Sequence, residues 1–139
     1  MKKLLFHTDT NYSPALNFGL LVLRFGAGLT MAFAHGIGKI PLSDGFIGFV
    51  AKIGFPAPEL FAWAAALSEL IGGIFIAAGV LTRPAALSLV LTMGVAGFIA
   101  HSGDGWSKME PSFVYLVMFL ALFFTGAGRY SIDALVSKK

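Results

Sequence analysis

The chain has 139 residues, of which 57% are hydrophobic and only 12% are charged. That charged fraction is about half of what a soluble domain carries, so the composition excludes a water-soluble globule and a disordered chain. The length suits one domain, residues 1–139. The sequence contains no cysteine, which removes disulfides, cysteine-bound zinc and iron–sulfur clusters. The net charge of +3 comes from Lys and Arg beside apolar runs, a membrane-protein pattern, and we predict no nucleic-acid partner.

Four apolar runs approach the length of about 20 residues that a membrane-spanning helix needs. They lie at about residues 16–34, 60–81, 85–100 and 112–127. Pro84 and Pro111 are predicted at the first turns of the third and fourth helices, where proline is well tolerated. The last two runs are short, so we expect their helices to extend, for example through Trp106. The predicted fold is all-α, a bundle of four transmembrane helices running up-down-up-down.

The distribution of basic residues predicts the orientation of the bundle. The end holding both termini has six: Lys2, Lys3, Arg83, Arg129, Lys138 and Lys139. The opposite end has three: Lys39, Lys52 and Lys108. The positive-inside rule therefore predicts cytoplasmic termini in a multi-pass protein of the cytoplasmic (inner) membrane, in contact with lipid. The long first loop, residues 36–59, then faces outward, with a short interfacial helix expected at about 46–53.

Arg24 and Glu69 are the strongest candidates for a functional site. Each lies near the middle of an apolar run, where an unpaired charge costs several kcal/mol. Counting along the two antiparallel helices places them at similar depth, which predicts an ion pair inside the bundle. As catalytic residues, Arg24 would anchor an anionic or carbonyl group and Glu69 would carry a proton. The alternative is a purely structural pair that holds the two helices together.

Two histidines form a second candidate group, predicted to bind a cofactor. His35 and His101 fall at the outer ends of the first and third spans. They could ligate a b-type haem, bond a quinone carbonyl and pass protons, or be interfacial polar residues. Tyr115, whose hydroxyl could reach His101, and Lys39 complete the predicted cofactor-binding residues. No metal site is predicted.

Several short motifs, in this order and spacing, make the chain resemble the DoxX family of small four-helix membrane proteins. They are Arg24 followed by small residues, His35-Gly36-x-x-Lys39, Gly54-Phe55-Pro56-x-Pro58, Glu69-x-x-Gly72-Gly73, Gly79-x-x-Thr82-Arg83-x-Ala85-Ala86, His101, and Gly126-x-Gly128-x-x-Ser131-x-Asp133. The family takes its name from a subunit associated with a terminal quinol oxidase and with thiosulfate:quinone oxidoreduction. The resemblance therefore implies membrane redox chemistry that involves quinones.

Together these features predict a quinone- or quinol-interacting small subunit of a membrane oxidoreductase. Because the chain has no evident redox centre of its own, electrons would come from a redox partner protein or a bound cofactor. One alternative is a non-enzymatic membrane scaffold that recruits a soluble redox partner. Another is a small-molecule or proton carrier. The glycine-rich helix faces also permit a homodimer.

Overall fold

In a computed structural model, which describes residues 8–9 and 11–137, the chain forms four long helices and two short ones. The helices are α1 (Pro14–Lys39), α2 (Asp44–Lys52), α3 (Pro58–Ala78), α4 (Thr82–Ala100), α5 (Trp106–Thr125) and α6 (Ile132–Ser137). α1, α3, α4 and α5 are long and apolar enough to cross a membrane. The described residues contain no strand, which confirms the predicted all-α class with four spans.

Residue pairs between neighbouring helices show that the four spans alternate in direction. Gly28 of α1 lies against Gly73 and Ala77 of α3, whereas Gly36, later in α1, lies against Leu70, earlier in α3. The same reversal joins α3 to α4 and α4 to α5. The up-down-up-down prediction is therefore confirmed. We call the end where α1 begins and α5 ends the terminal end, and the opposite end, where residues 40–57 and 101–105 connect the spans, the loop end.

Glycines allow α1 and α3 to approach closely. A Cβ atom at Gly28 would lie 2.6 Å from the carbonyl oxygen of Gly73, and one at Gly73 would lie 2.7 Å from the carbonyl oxygen of Gly28. Contacts this short between backbone atoms exclude any larger residue without separation of the helices. The two helices therefore form a rigid pair around which the other elements are arranged.

Three of the four spans contain a π-helical segment. The segments are Met31–Gly36 in α1, Ser68–Gly72 in α3 and Ala96–Ala100 in α4. Such segments are rare in ordinary helices and are frequent at functional sites. The segments of α1 and α3 lie against each other at Gly36 and Leu70, whereas the segment of α4 lies nearer the loop end.

The helix boundaries follow local signals, with two differences from expectation. Ser13 caps α1 through a hydrogen bond from the Leu16 N–H to its hydroxyl (3.3 Å). α4 begins at Thr82, which places Pro84 at its third position. α5 begins at Trp106, so Pro111 lies inside the helix instead of opening it. An early proline removes only one hydrogen bond of the helix, and the extra residues lengthen a span that the apolar run alone left short.

The bundle interior is small and tightly packed, and its outer surface is apolar. Met31, Ile76, Leu89, Phe119 and Leu122 are fully buried between the spans. Large apolar side chains cover the outside: Phe18, Val22, Leu91, Val117 and Phe124 are all more than half exposed. A soluble protein does not expose so large an apolar surface, whereas a bilayer covers it.

Candidate functional site

Glu69 pairs with Lys39, and the predicted ion pair between Glu69 and Arg24 is wrong. The Lys39 Nζ and a Glu69 carboxylate oxygen form a salt bridge, with 4% of the Glu69 side chain and 29% of the Lys39 side chain exposed. A helical side chain tilts toward the N-terminus of its own helix. Because α1 and α3 are antiparallel, Arg24 tilts toward the terminal end and Glu69 tilts toward the loop end, where Lys39 lies.

Arg24 closes the C-terminal end of α3. Its guanidinium donates hydrogen bonds to the carbonyl oxygens of Ile76 (3.4 Å) and Ala77 (3.2 Å), and to that of Tyr130 beyond α5. Glu69 lies seven residues before Ile76 in the same helix, which is about 10 Å along the axis. The last carbonyls of a helix lack partners within it and carry partial negative charge, which a buried cation satisfies. In this geometry Arg24 joins the end of α3 to the segment after α5.

Asp133 caps the N-terminal end of the next helix, α4. Its carboxylate accepts hydrogen bonds from the backbone N–H groups of Leu81 (2.8 Å) and Thr82 (2.9 Å) at the start of α4. Its own N–H donates to the carbonyl oxygen of Gly79 (2.8 Å). Sequence reasoning gave Asp133 no task, because the partner groups are backbone atoms fifty residues away in the chain.

A cavity of about 520 Å³ lies between α2, α3 and α4 and contains the Lys39–Glu69 pair on its wall. Most of its lining is apolar, with polar side chains at a few positions. The polar lining residues are Lys39, Ser68, Glu69, Ser88, Thr92 and His101. A largely apolar cavity with a few converging polar groups is the usual form of a small-molecule site.

Three hydroxyl groups beside Glu69 form a connected cluster. The Thr92 hydroxyl donates to Ser68 Oγ (3.2 Å), Ser68 donates to Ser88 Oγ (3.1 Å), and Ser88 donates to the carbonyl oxygen of Ala85 (2.9 Å). Sequence analysis missed this cluster, although three hydroxyl residues within apolar spans, one adjacent to Glu69, could have indicated it. Hydroxyls both donate and accept, so the cluster can adapt its bonding to a ligand.

The short helix α2 covers the cavity on its loop-end side. Ser43 caps this helix by accepting a hydrogen bond from the Phe46 N–H (3.2 Å). Phe46, Phe49 and Val50 share one face of α2, and they line the cavity together with Ile53, which directly follows the helix. The Lys39 ammonium also lies 5.3 Å from the centre of the Phe46 ring. The interfacial helix expected at 46–53 is therefore present, and it forms a wall of the site.

His101 connects the cavity to the loop between α4 and α5. It lines the cavity, and its Nδ1 lies 2.9 Å from a carboxylate oxygen of Asp104. Since an ionised carboxylate can only accept, Nδ1 carries the proton. This hydrogen bond, assisted by the positive charge of Lys108, lowers the pKa of Asp104 below its ordinary value.

His35 and Tyr115 lie together, apart from His101. Their rings meet edge to face at 5.5 Å, and Tyr115 stacks on Phe119. Tyr115 lines a second, open groove of about 590 Å³ between α1 and α5. The predicted contact between Tyr115 and His101 is therefore replaced by one with His35. Within the described residues, His35 and His101 share no partner, and no cluster of three metal-binding side chains forms.

The structure thus brings together three of the six predicted site residues, Lys39, Glu69 and His101, in one cavity. It places Arg24 at the terminal end and the other two, His35 and Tyr115, on the side of α1 and α5. All residues that line the cavity fall between positions 39 and 101.

Comparison with known proteins gives matches over the same region. The DoxX family profile matches residues 19–102. An uncharacterized protein of Haemophilus influenzae is 33% identical over 127 residues, covering 86% of this chain and 83% of that protein. A Bacillus subtilis protein named "Putative oxidoreductase CatD" is 29% identical over 127 residues, covering 91% and 92%. An Escherichia coli protein named "Inner membrane protein YphA" is 32% identical over 123 residues, covering 82% and 87%.

No solved structure matches the chain significantly. The family profile spans more than half of the chain and includes every residue that lines the cavity between α2, α3 and α4. The chain is a membrane protein that belongs to the DoxX family.

Proposed function

We propose that this protein is a quinone- or quinol-binding small subunit of a membrane oxidoreductase, located in the cytoplasmic membrane of a prokaryote. The observation that carries the proposal is the cavity itself, whose apolar and aromatic walls also hold three hydroxyls and the buried Glu69 carboxylate paired with the half-buried Lys39 ammonium. A quinone head group is a flat apolar ring with oxygen atoms at opposite edges. It needs this combination of apolar walls and few polar groups.

The polar residues can bind both forms of such a ring. The Lys39 ammonium can donate a hydrogen bond to a carbonyl oxygen, and the Glu69 carboxylate can accept one from a ring hydroxyl. Phe46 and Phe49 of α2 offer aromatic faces to the ring. Arg24, which the sequence suggested as a catalytic group, contributes instead by holding the end of α3.

A quinone, when bound, supplies the capacity to exchange two electrons and two protons. The protein's own residues can handle the protons. Glu69 can take up or release one beside the hydroxyl cluster of Ser68, Ser88 and Thr92, and His101 can exchange one with the loop between α4 and α5 through its contact with Asp104. We propose that a partner protein exchanges the electrons, in keeping with the oxidoreductase name of the Bacillus subtilis relative.

Binding of a quinone to the purified protein in nanodiscs tests the proposal. We expect Glu69→Gln to lower the affinity for quinone by about ten-fold or more, since it removes the charged acceptor from a buried site. Glu59→Gln is the matched control, because Glu59 is an exposed acid at the start of the same helix and outside the cavity. Its affinity should equal that of the unmodified protein.

Two results would contradict the proposal. The first is a protein that binds no quinone above the level of empty nanodiscs. The second is an equal effect of Glu69→Gln and Glu59→Gln in samples that are shown to be folded by circular dichroism.

An absorbance spectrum of the same sample before and after reduction tests for b-type haem, whose Soret band should disappear in His35→Ala.

A further inference from the structure

The exposed residues that line the cavity are all apolar, and among the large ones Leu91 of α4 is the most exposed. Of the residues lining the cavity, Phe49, Phe61, Ala64 and Leu91 are the exposed ones, and all of them are apolar. The polar lining residues are buried or half-buried. The open side of the cavity therefore presents hydrocarbon, which suits contact with lipid chains better than contact with water.

The position of Leu91 along α4 also indicates that the cavity faces the bilayer. Its side chain is 64% exposed although it lines the cavity. Leu91 lies nine residues after Thr82, where α4 begins, or about 14 Å along the helix axis, which is close to the middle of a hydrocarbon layer of about 30 Å. A ligand that passes Leu91 thus moves between the cavity and the bilayer core.

The direct route from the loop end is covered by α2. Phe46 and Val50 of this helix and Ile53 directly after it line the cavity, and Val50 is buried. Lys39 holds Phe46 by a cation–π contact and Glu69 by a salt bridge. The loop-end side of the cavity is therefore lined by α2, whereas the exposed lining residue of α4 is the apolar Leu91.

We propose that the ligand of this cavity is a membrane-dissolved quinone with a long apolar tail, and that the tail leaves the protein past Leu91. The proposal rests on the proposed function and adds the class of quinone and the residue that selects it. The ring lies beside Glu69 and Lys39, while the tail lies between α4 and the lipid. A short quinone without a tail fits the ring position and does not use the opening.

The substitution Leu91→Trp tests this arrangement, with Leu87→Trp as its control. Leu87 is also an exposed residue of α4, one turn away, and it does not line the cavity. Two probes are compared in nanodiscs, a dimethoxy-methyl-benzoquinone without a tail and the same ring with a decyl chain. We expect Leu91→Trp to weaken binding of the decyl compound by about ten-fold and of the tailless ring by less than about two-fold. Leu87→Trp should leave both affinities unchanged.

A labelling experiment on the unmodified protein avoids any effect of substitution on folding. A quinone with a diazirine near the start of its tail should, after irradiation, label the α4 segment around Leu91. Labelling only of α2, or an equal loss of both probes in Leu91→Trp, would overturn the lateral route while leaving quinone binding intact. If the unmodified protein bound neither probe, the proposed function itself would be overturned.

Discussion

Replacing Gly36 by alanine should disrupt the site from a distance, through the packing of α1 on α3. A Cβ atom at this position would lie 2.5 Å from the backbone nitrogen of Leu70 and 2.9 Å from the carbonyl carbon of Glu69. Ordinary contacts begin at about 3.4 Å, so the helices must separate by roughly 0.9 Å. Both contacting atoms belong to the backbone and cannot move aside alone.

Gly26 provides a matched control in the same helix, since a Cβ atom there would meet nothing within 4 Å. Both substitutions gain the same helix propensity, about 1 kcal/mol. The difference between them therefore isolates the packing cost, and we expect Gly36→Ala to be less stable than Gly26→Ala by about 1–3 kcal/mol.

Equilibrium unfolding in bicelles or mild detergent measures this difference, and quinone binding reports on the site. Because Gly36 precedes Lys39 by one turn and contacts the backbone of Glu69, Gly36→Ala should also weaken quinone binding, whereas Gly26→Ala should not. Equal stabilities of the two variants would refute the close approach of α1 and α3 near Glu69.

Two further predictions separate the structural residues from the site. Arg24→Gln should lower the free energy of unfolding by about 3 kcal/mol, because buried carbonyls lose charged donors. Arg83→Gln is the control, since it removes one exposed hydrogen bond to a carbonyl. It should lower the free energy of unfolding by less than about 1 kcal/mol. The folded fraction of Arg24→Gln should keep its quinone affinity, and a loss of affinity without loss of stability would show that Arg24 belongs to the site. His101→Leu, which removes the donor, should raise the pKa of Asp104 toward its ordinary value, as measured by NMR titration of the carboxyl carbon, since the hydrogen bond from His101 is the main cause of its depression. The hydrogen bond between His101 and Asp104 is fully present above the ordinary carboxyl pKa and is lost as the pH falls through the depressed pKa of Asp104. An unchanged titration of Asp104 in the variant would refute the presence of this bond in solution.

The four spans and their alternation could be predicted because they depend on local properties. Apolar length, proline and glycine positions and short connections are all visible in the sequence, and α2 was visible from its apolar face. The exact ends of the helices were harder to predict. Pro111, for example, is tolerated inside α5, which begins earlier, at Trp106.

The partners of the buried charges could not be predicted by counting residues. Depth along the axis placed Arg24 and Glu69 together, but the opposite tilt of their side chains separates them. The π-helical segment Met31–Gly36 adds a further error, because it changes the helical period between Arg24 and Lys39. Lys39 itself was predicted to bind a ligand, yet its pairing with Glu69 depends on the close approach at Gly36.

The segment after α5 has a consequence for the biogenesis of this protein. It supplies the Tyr130 carbonyl for Arg24, the Asp133 carboxylate for the start of α4, and the Arg129 N–H for Asn17. The ribosome adds these groups only after the residues of all four spans. Until then, Arg24 lacks one of its acceptors and the turn between α3 and α4 lacks its cap. A chain truncated before Tyr130 would therefore leave the Arg24 guanidinium and the start of α4 incompletely hydrogen-bonded, and we expect its bundle to be less stable.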